Sequence, residues 1–534
     1  MRPVLSAEQM KLFDRKWMDL GVPGIVLMEN AGRGAAHLIG LKLRPRAAGE
    51  AARTGSAVVG SCVRCADERS LEGARVLILA GAGNNGGDGF VVARHLGARG
   101  VEVTVLVTVP EDQLKGDARA AFLAMRAMGI AARPLFDSDY SAEIERTELI
   151  VDALLGTGAD RDIEGALTQV ILAVNASGKY VVALDVPSGL HASRGNILGV
   201  AVRAQHTVTF AHLKAGLFSS FGHEHAGNIT VSHIGVPSAL PTSLDPLAWL
   251  LEEADVRLRL PPRSVAGHKG QAGRVVVVAG STGTVGAARL VSRAALRAGA
   301  GLVTVVSAPS AIVHLEGEVV EVMTHAWSEV GPGDAEDQLF QRADALVVGP
   351  GLGRSPEAER AMERAVLAQK PCVVDADALR YFAETGRAFW QSTQPGRWSV
   401  LTPHPAEAAG LLGVSTADIE KDRVSAARAL AERYGATVLL KGSRPVLCGL
   451  GQPTVLSAFG SPALGTAGSG DVFCGILAAQ LVGAPSAQVV FERLMVAVAL
   501  QGQAAELWSK QHGDRGLLAH EIGDLVPQIM QSWT

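Results

Sequence analysis

From Arg75 onward, short wholly apolar runs alternate with longer amphipathic stretches. Runs at 75–80, 101–107, 148–151 and 180–184 read as buried strands, with helices at 87–99, 116–129 and 165–177 between them. Strand-like segments at 205–210 and 228–234 close this half. Upstream, Ser6-x-x-Gln9 is a capping-box pattern opening a helix to about Leu20, and a second helix covers roughly Ile25 to Leu41. Residues 44–74 are rich in Ala, Arg, Gly and Ser without periodicity and read as a flexible insertion. Residues 236–262 are proline-rich with mixed charge, which suits a linker (236–254) and a helix leading into a second domain. There the alternation resumes, with strands at 274–279, 302–306, 344–348, 371–374 and 436–440. Its helices fall at 285–299, 356–368, 416–433, 471–482 and 488–508. Short apolar strands alternating with helices predict parallel, doubly wound α/β sheets, one in each half.

Length agrees, because 534 residues exceed what a single core supports. A formal charge of −4 gives no electrostatic footprint for nucleic acid. No apolar run reaches membrane-spanning length, and Met1 to Leu20 lacks an apolar signal core. With five scattered cysteines, a reducing cytoplasm is expected. Cys62-x-x-Cys65 lacks a second pair or clustered histidines, so incidental spacing is the better reading.

The chemistry concentrates at strand exits. In Thr466-Ala-Gly468-Ser469-Gly470-Asp471, small residues free a loop to present backbone N–H groups at a helix N-terminus, which suits a phosphate. A carboxylate there suits a base that takes the proton of an attacking hydroxyl; a Gly-rich loop with an Asp cap is the plainer alternative. In the first half, Gly81-x-Gly83-x-x-Gly86 follows a strand and opens a helix. The next strand ends Thr108-Val-Pro110, without the acidic residue that holds a ribose in NAD dehydrogenases. Asn84, Asn85 and Asp88 add side-chain ligands to this loop. Later strands exit into Asp152 with Gly156-Thr157-Gly158-Ala159-Asp160-Arg161-Asp162, and into Asp185-Val-Pro187-Ser188-Gly189. These loops should converge at the carboxyl edge of the sheet. Asn85, Asp152 and Ser188 are hard oxygen donors that could hold a monovalent cation, leaving Asp185 as general acid/base. Taken singly, each Asp could equally be a cap or brace.

In the second half, Gly280-Ser-Thr-Gly-Thr-Val-Gly-Ala287 follows the first strand, and it is not a Walker A loop. Gly349-Pro-Gly351-Leu-Gly353, Asp375-Ala-Asp377, Thr402-Pro-His404-Pro405 and Lys441-Gly442-Ser443 follow later strands. His404, locked between prolines, reads as a ligand contact. Lys441 is either a phosphate partner or a lysine snorkelling at a strand end. Nucleotide, hydroxyl-bearing acceptor and Asp471 between them is ribokinase-like logic.

These motifs carry two resemblances. Met28-Glu-Asn-Ala-Gly32, Gly83-Asn-Asn-Gly-Gly-Asp-Gly89, Asp152-Ala-Leu-Leu-Gly-Thr-Gly158 and Asp185-Val-Pro-Ser-Gly-Leu190 resemble the NAD(P)H-hydrate epimerase family (the YjeF N-terminal domain) over about 1–235. That family interconverts the R and S epimers of NAD(P)H hydrated on its nicotinamide ring, NAD(P)HX. The resemblance implies that Asn84, Asn85, Gly86, Gly87 and Asp88 with residues 156–162 bind substrate, that Asp185 is the acid/base, and that Asn85, Asp152 and Ser188 bind K⁺. The insertion at 44–74 is long for the family. Over about 255–530, His268-Lys-Gly270 and the strand-exit motifs above resemble ADP/ATP-dependent NAD(P)H-hydrate dehydratase, a ribokinase-like fold. Here the resemblance implies that Asp471 activates the ring hydroxyl to attack a nucleotide phosphate, after which phosphate leaves. It assigns Ala287, Gly351 and His404 to the hydrated cofactor. Lys441, Gly442, Ser443, Arg444, Pro445, Gly468, Ser469 and Gly470 fall to the nucleotide. Phe459-Gly-Ser461-Pro-Ala463-Leu-Gly465 departs from the usual Thr-Gly-Asn-Pro-Gly, and Ala406 replaces a usual glycine.

The expectation is a bifunctional enzyme using ADP (or ATP) with Mg²⁺, and K⁺ at the epimerase site. Its partners are NADHX/NADPHX and ADP, without nucleic acid or membrane, in a homo-oligomer. The alternative is a ribokinase-type small-molecule kinase with a non-catalytic N-terminal binding domain.

Overall fold

The computed structural model describes residues 1–43, 71–261, 269–316, 320–327, 334–385 and 399–533. Cys62, Cys65, His268 and most of the 44–74 insertion lie outside these residues. The chain forms two compact units, Pro3–Leu247 and Ala248–Thr534 with Met1–Arg2. Among the described residues, no helix is long and apolar enough to cross a membrane.

The N-terminal strands are β1 (Arg2–Leu5), β2 (Arg75–Ala80), β3 (Glu102–Val107), β4 (Ala132–Pro134), β5 (Leu149–Ala153), β6 (Tyr180–Leu184), β7 (His206–Phe210), β8 (Leu213–Lys214) and β9 (Asn228–Ser232). Seven of them form a parallel sheet in the order β4-β3-β2-β5-β6-β7-β9. β2 shows why its sequence is apolar at every position. Val76, Ile78 and Ala80 pack on the side of helices Ala7–Asp19, Gly24–Leu43 and Asn84–Gly97, while Leu77 and Leu79 face the side of Ala166–Ala176. A strand covered on both faces has no polar side to alternate with. The Ser6–Gln9 capping box is present. Outside the sheet, β1 pairs in parallel with β8, setting Leu5 opposite Lys214.

The second unit contains β10 (Ala248–Leu251), β11 (Arg274–Val278), β12 (Leu302–Ser307), β13 (Val322–Ala326), β14 (Ala345–Val348), β15 (Cys372–Val374), β16 (Ser399–Leu401), β17 (Thr437–Leu440), β18 (Val446–Cys448) and β19 (Val455–Ser457). They run β13-β12-β11-β14-β15-β16-β17-β18-β19-β10. All neighbours are parallel except β17-β18 and β18-β19. β10 corrects the linker reading of 236–254, because Trp249, Leu250 and Leu251 pair with β19 inside the second unit. The helix expected over 416–433 is two, Thr416–Lys421 and Arg423–Tyr434. Asp422 ends the first, and its side chain accepts from the Ser425 N–H to cap the second. Helix Ser469–Leu481 presses on Val285–Arg297 so closely that a Cβ at Gly475 would stand 2.1 Å from the Val291 carbonyl oxygen. That contact fixes the helix that carries Asp471.

Gly86 plays the corresponding part in the first unit, where a Cβ would meet the Gly81 carbonyl oxygen at 1.9 Å. Gly86→Ala should therefore destabilise the unit by roughly 2–4 kcal/mol in thermal unfolding. A melting curve unchanged from the parent would contradict this packing.

Candidate functional sites

In the first unit, Gly83 caps helix Asn84–Gly97, so the N–H groups of its first turn open beside the β2 and β5 strand ends. Asn85 is buried; its Nδ2 donates to the Leu155 carbonyl at 2.8 Å, while its Oδ1 has no hydrogen-bond partner among the described residues. Asp152, at the end of β5, accepts from the Ser188 N–H at 2.8 Å and the Ser188 hydroxyl at 2.5 Å. The Leu155 N–H donates to Ser188 Oγ at 2.8 Å. Asn85 and Ser188 thus meet at Leu155, and Asp152 joins them through Ser188. Burial pushes the Asp152 carboxyl up to about 6 against the hydrogen bonds from Ser188 and Leu154. The buried Oδ1, without a partner among the described residues, joins with a carboxylate and a hydroxyl gathered at Leu155 in an oxygen-donor set suited to a monovalent cation. Gly156 lies against Asn85, its built Cβ 3.1 Å from the Asn85 Cβ, while Gly158, Asp160, Arg161 and Asp162 are exposed.

Asp185 follows β6 with φ +65°, a left-handed conformation that costs a non-glycine residue of order 1–3 kcal/mol. Its N–H donates to the Val208 carbonyl, and its Oδ1 accepts from Lys214 Nζ at 2.5 Å and from the Phe210 N–H at 3.3 Å. Lys214 is 1% exposed and also donates to the Phe210 carbonyl and Thr209 Oγ1. Asp88 is buried, and burial together with the Asp185 charge raises its carboxyl well above the ordinary range.

Lys214 was missed in the sequence, although a lysine within the apolar run His212-Leu-Lys-Ala-Gly-Leu-Phe218 was a usable signal.

In the second unit, Asp471 lies in the first turn of its helix, behind Gly468 at φ +87°. Burial, reinforced by the Asp375 charge, pushes its carboxyl up to about 6, with Lys441 opposing. Asp375, 2% exposed at the end of β15, accepts from Lys441 Nζ at 2.7 Å and from the Cys474 thiol at 3.3 Å. Lys441 Nζ is also 4.0 Å from Glu407. Burial opposes the Lys441 charge, but Asp375, Cys474 and Glu407 outweigh it and raise the ammonium above its ordinary range. A Cβ at Gly470 would lie 3.6 Å from Lys441 Nζ, so loop and lysine meet. Arg423 Nη2 donates to the Lys441 carbonyl, Arg444 Nη1 to the Ala458 carbonyl, and the Ser457 N–H to the Pro445 carbonyl. These bonds brace the Lys441–Pro445 turn, in which Gly442 has φ +153° and Ser443 is exposed.

His404 caps helix Pro405–Leu412. Its Nδ1 accepts from the Ala406 and Glu407 N–H groups, leaving Nε2 as the N–H, 3.4 Å from Glu407 Oε1. The ring is half exposed and remains open to a ligand while it caps. Gly351 abuts Ala287, its built Cβ 3.0 Å from the Ala287 Cβ, and its carbonyl accepts from Ser281 and Thr284. Ser461 hydrogen-bonds to Ala505 and Ser509, and Glu506 accepts the Gly460 N–H.

Two mainly parallel α/β sheets, each with glycine-rich turns and buried carboxylates at strand carboxyl ends, define a two-unit α/β enzyme of the nucleotide-handling class. The family model described as NAD(P)H-hydrate dehydratase matches residues 275–528, and the YjeF-related protein N-terminus model matches 24–216. The bifunctional NAD(P)H-hydrate repair enzyme Nnr of Moorella thermoacetica is 36% identical over 99% of this chain and 97% of that protein. Its counterpart in Coxiella burnetii is 35% identical over 86% and 90%. The solved ADP/ATP-dependent NAD(P)H-hydrate dehydratase of Bacillus subtilis, co-crystallised with ATP/Mg²⁺, is 27% identical and covers 54% of this chain and 99% of its own, with a TM-score of 0.47. The chain belongs to the family of bifunctional NAD(P)H-hydrate repair enzymes, with an epimerase unit followed by a dehydratase unit. The kinase alternative finds no support in matches that run through both halves.

Lys214→Met should leave the carboxylates around it without a cation, costing about 3–5 kcal/mol at neutral pH. The loss should shrink as pH falls and the carboxyls take up protons. Urea unfolding at pH 7.5 and 5.5 checks this, and a pH-independent difference would count against the pairing.

Proposed function

We propose that Asp471 is the base of the dehydratase reaction. It takes the proton of the ring hydroxyl of S-NAD(P)HX as the oxygen attacks the terminal phosphorus of ADP, or of ATP, with Mg²⁺ accompanying the nucleotide. Hydroxide is a poor leaving group and phosphate a good one. The C–O bond then breaks, a neighbouring C–H gives up its proton, and NAD(P)H forms with orthophosphate. The observation that carries this reading is the meeting of Asp471, Lys441 and Gly470 at one helix N-terminus. Lys441, Gly442, Ser443, Arg444 and Pro445 with Gly468 to Gly470 cradle the nucleotide; Ala287, Gly351 and His404 hold the hydrated cofactor.

In the first unit, Asp185 is the acid/base of epimerisation. Residues 84–88 and 156–162 bind the substrate, and Asn85, Asp152 and Ser188 hold K⁺. K⁺ supplies fixed positive charge near the phosphate-bearing substrate. The enzyme works in the cytoplasm, in keeping with Cys372, Cys448 and Cys474 as free buried thiols.

Mixed-epimer NADHX with ADP or ATP tests the reading. The parent chain should return all of it to NADH. Asp185→Asn should stop near the S fraction, and Asp471→Asn should abolish dehydration while R and S still interconvert. No NADH with either nucleotide would sink the dehydratase role. Because a base works ionised, dehydration should fall as pH drops through about 6, the value to which the Asp471 site pushes that carboxyl. A rate independent of pH from 5 to 8 would remove Asp471 from that role.

A further inference from the structure

The residue motifs of the epimerase unit begin at Met28, yet the structure brings an earlier helix to the same site. Leu5 pairs with Lys214 across β1 and β8, and Phe13 sets its ring edge-on to His212 at 4.6 Å. Ser6 caps the helix, and the Ala7 N–H donates to Ser193 Oγ. Helix Ala7–Asp19 is thus held against the segment that carries Lys214. On its inner side, four residues after buried Met10 and next to Phe13, stands Asp14. Its half-buried carboxyl has no hydrogen-bond partner among the described residues and feels the charges of Lys214 and Asp185. Asp88, 8% exposed, faces the same pair and feels Asp14 as well; it too has no hydrogen-bond partner among the described residues. His212 also lies within the field of Lys214, and burial lowers its imidazole to about 4, so it adds no second cation at neutral pH.

The charge balance is the argument. Lys214 is one cation within the field of Asp14, Asp88 and Asp185, and its short contact goes to Asp185. Three carboxylates around one ammonium cannot all ionise out of water, so the cluster retains a proton. Burial holds the Asp88 carboxyl well above the ordinary range and pushes the Asp14 carboxyl up to about 6, so Asp14 is the member of the cluster able to take up and give a proton near neutral pH while Asp185 is paired. Carboxyl groups set apart in this way divide acid and base work.

We propose that Asp14 is a second proton carrier in the epimerase site, a catalytic residue paired with Asp185. Water added across an enamine double bond places the hydroxyl on the carbon next to nitrogen. Asp14 gives its proton to that hydroxyl, the C–O bond breaks, and the nitrogen lone pair forms an iminium as water leaves. Water adds to the other face, the new C–O bond returns the pair to nitrogen, and Asp185 takes the excess proton. One proton has moved from Asp14 to Asp185 and returns through solvent.

This inference rests on the epimerase reading. The test follows interconversion of purified R- and S-NADHX by the full chain without nucleotide. Asp14→Asn should lower kcat at least about 100-fold with KM within about threefold, the scale of a lost general acid. It should also remove the limb on which the rate falls as pH rises, because an acid works protonated. Asp14→Glu should restore most of the rate, with that limb shifted. A rate for Asp14→Asn within about threefold of the parent overturns the proposal. So does a loss that leaves the pH profile unchanged. If Asp14→Asn fails to fold, Asp14→Glu decides: a displaced limb supports the role and an unmoved one overturns it. A parent chain that does not interconvert the epimers would instead overturn the epimerase reading itself.

Discussion

A lysine ammonium set among carboxylates organises each unit. Lys214 donates to Asp185 at 2.5 Å, and Lys441 to Asp375 at 2.7 Å. Such pairs recover their desolvation cost only when geometry is good and the remaining valences are filled. Here they are filled: by the Phe210 carbonyl and Thr209 for Lys214, and by the Cys474 thiol on the far oxygen of Asp375. Each pair sits at a strand exit with a non-glycine residue in left-handed conformation, Asp185 itself in one case and Ala376, next to Asp375, in the other. Backbone strain and buried charge together hold carboxyl groups where the sheet opens, and the glycine-rich loops are built around them.

The two lysine pairs have different consequences. In the first unit the lysine pairs directly with Asp185, with Asp14 and Asp88 also within its field. In the second it answers Asp375, and Asp471 stands apart, kept from easy ionisation by burial and by the Asp375 charge. A carboxyl poised near 6 is ionised at neutral pH and still basic enough to accept a hydroxyl proton. That arrangement suits the base we propose for a dehydration in which phosphorylation serves to expel oxygen.

Much of this was legible in the residue pattern because strands buried on both faces are written as unbroken apolar runs. β2, β6 and β11 are examples. Asp185 stood out because it follows such a run, and Asp471 because a glycine-rich loop sets it at the head of an apolar helix. What escaped was either too short or too remote. β4, β18 and β19 are three residues each, β13 is largely uncovered, and β10 lies in a proline-rich stretch that reads as a linker. Lys214 and Asp14 escaped for another reason. Their meaning comes from β1 pairing with β8, more than 200 residues away, and no local motif records that pairing.

The central claim is that the ring hydroxyl leaves as phosphate. S-NADHX carrying ¹⁸O in that hydroxyl, incubated with ADP in ordinary water, tests it most directly, with Asp185→Asn as the enzyme so that epimerisation does not wash out the label. The account predicts ¹⁸O in the orthophosphate released with NADH. Label appearing in water, with unlabelled orthophosphate, would contradict it.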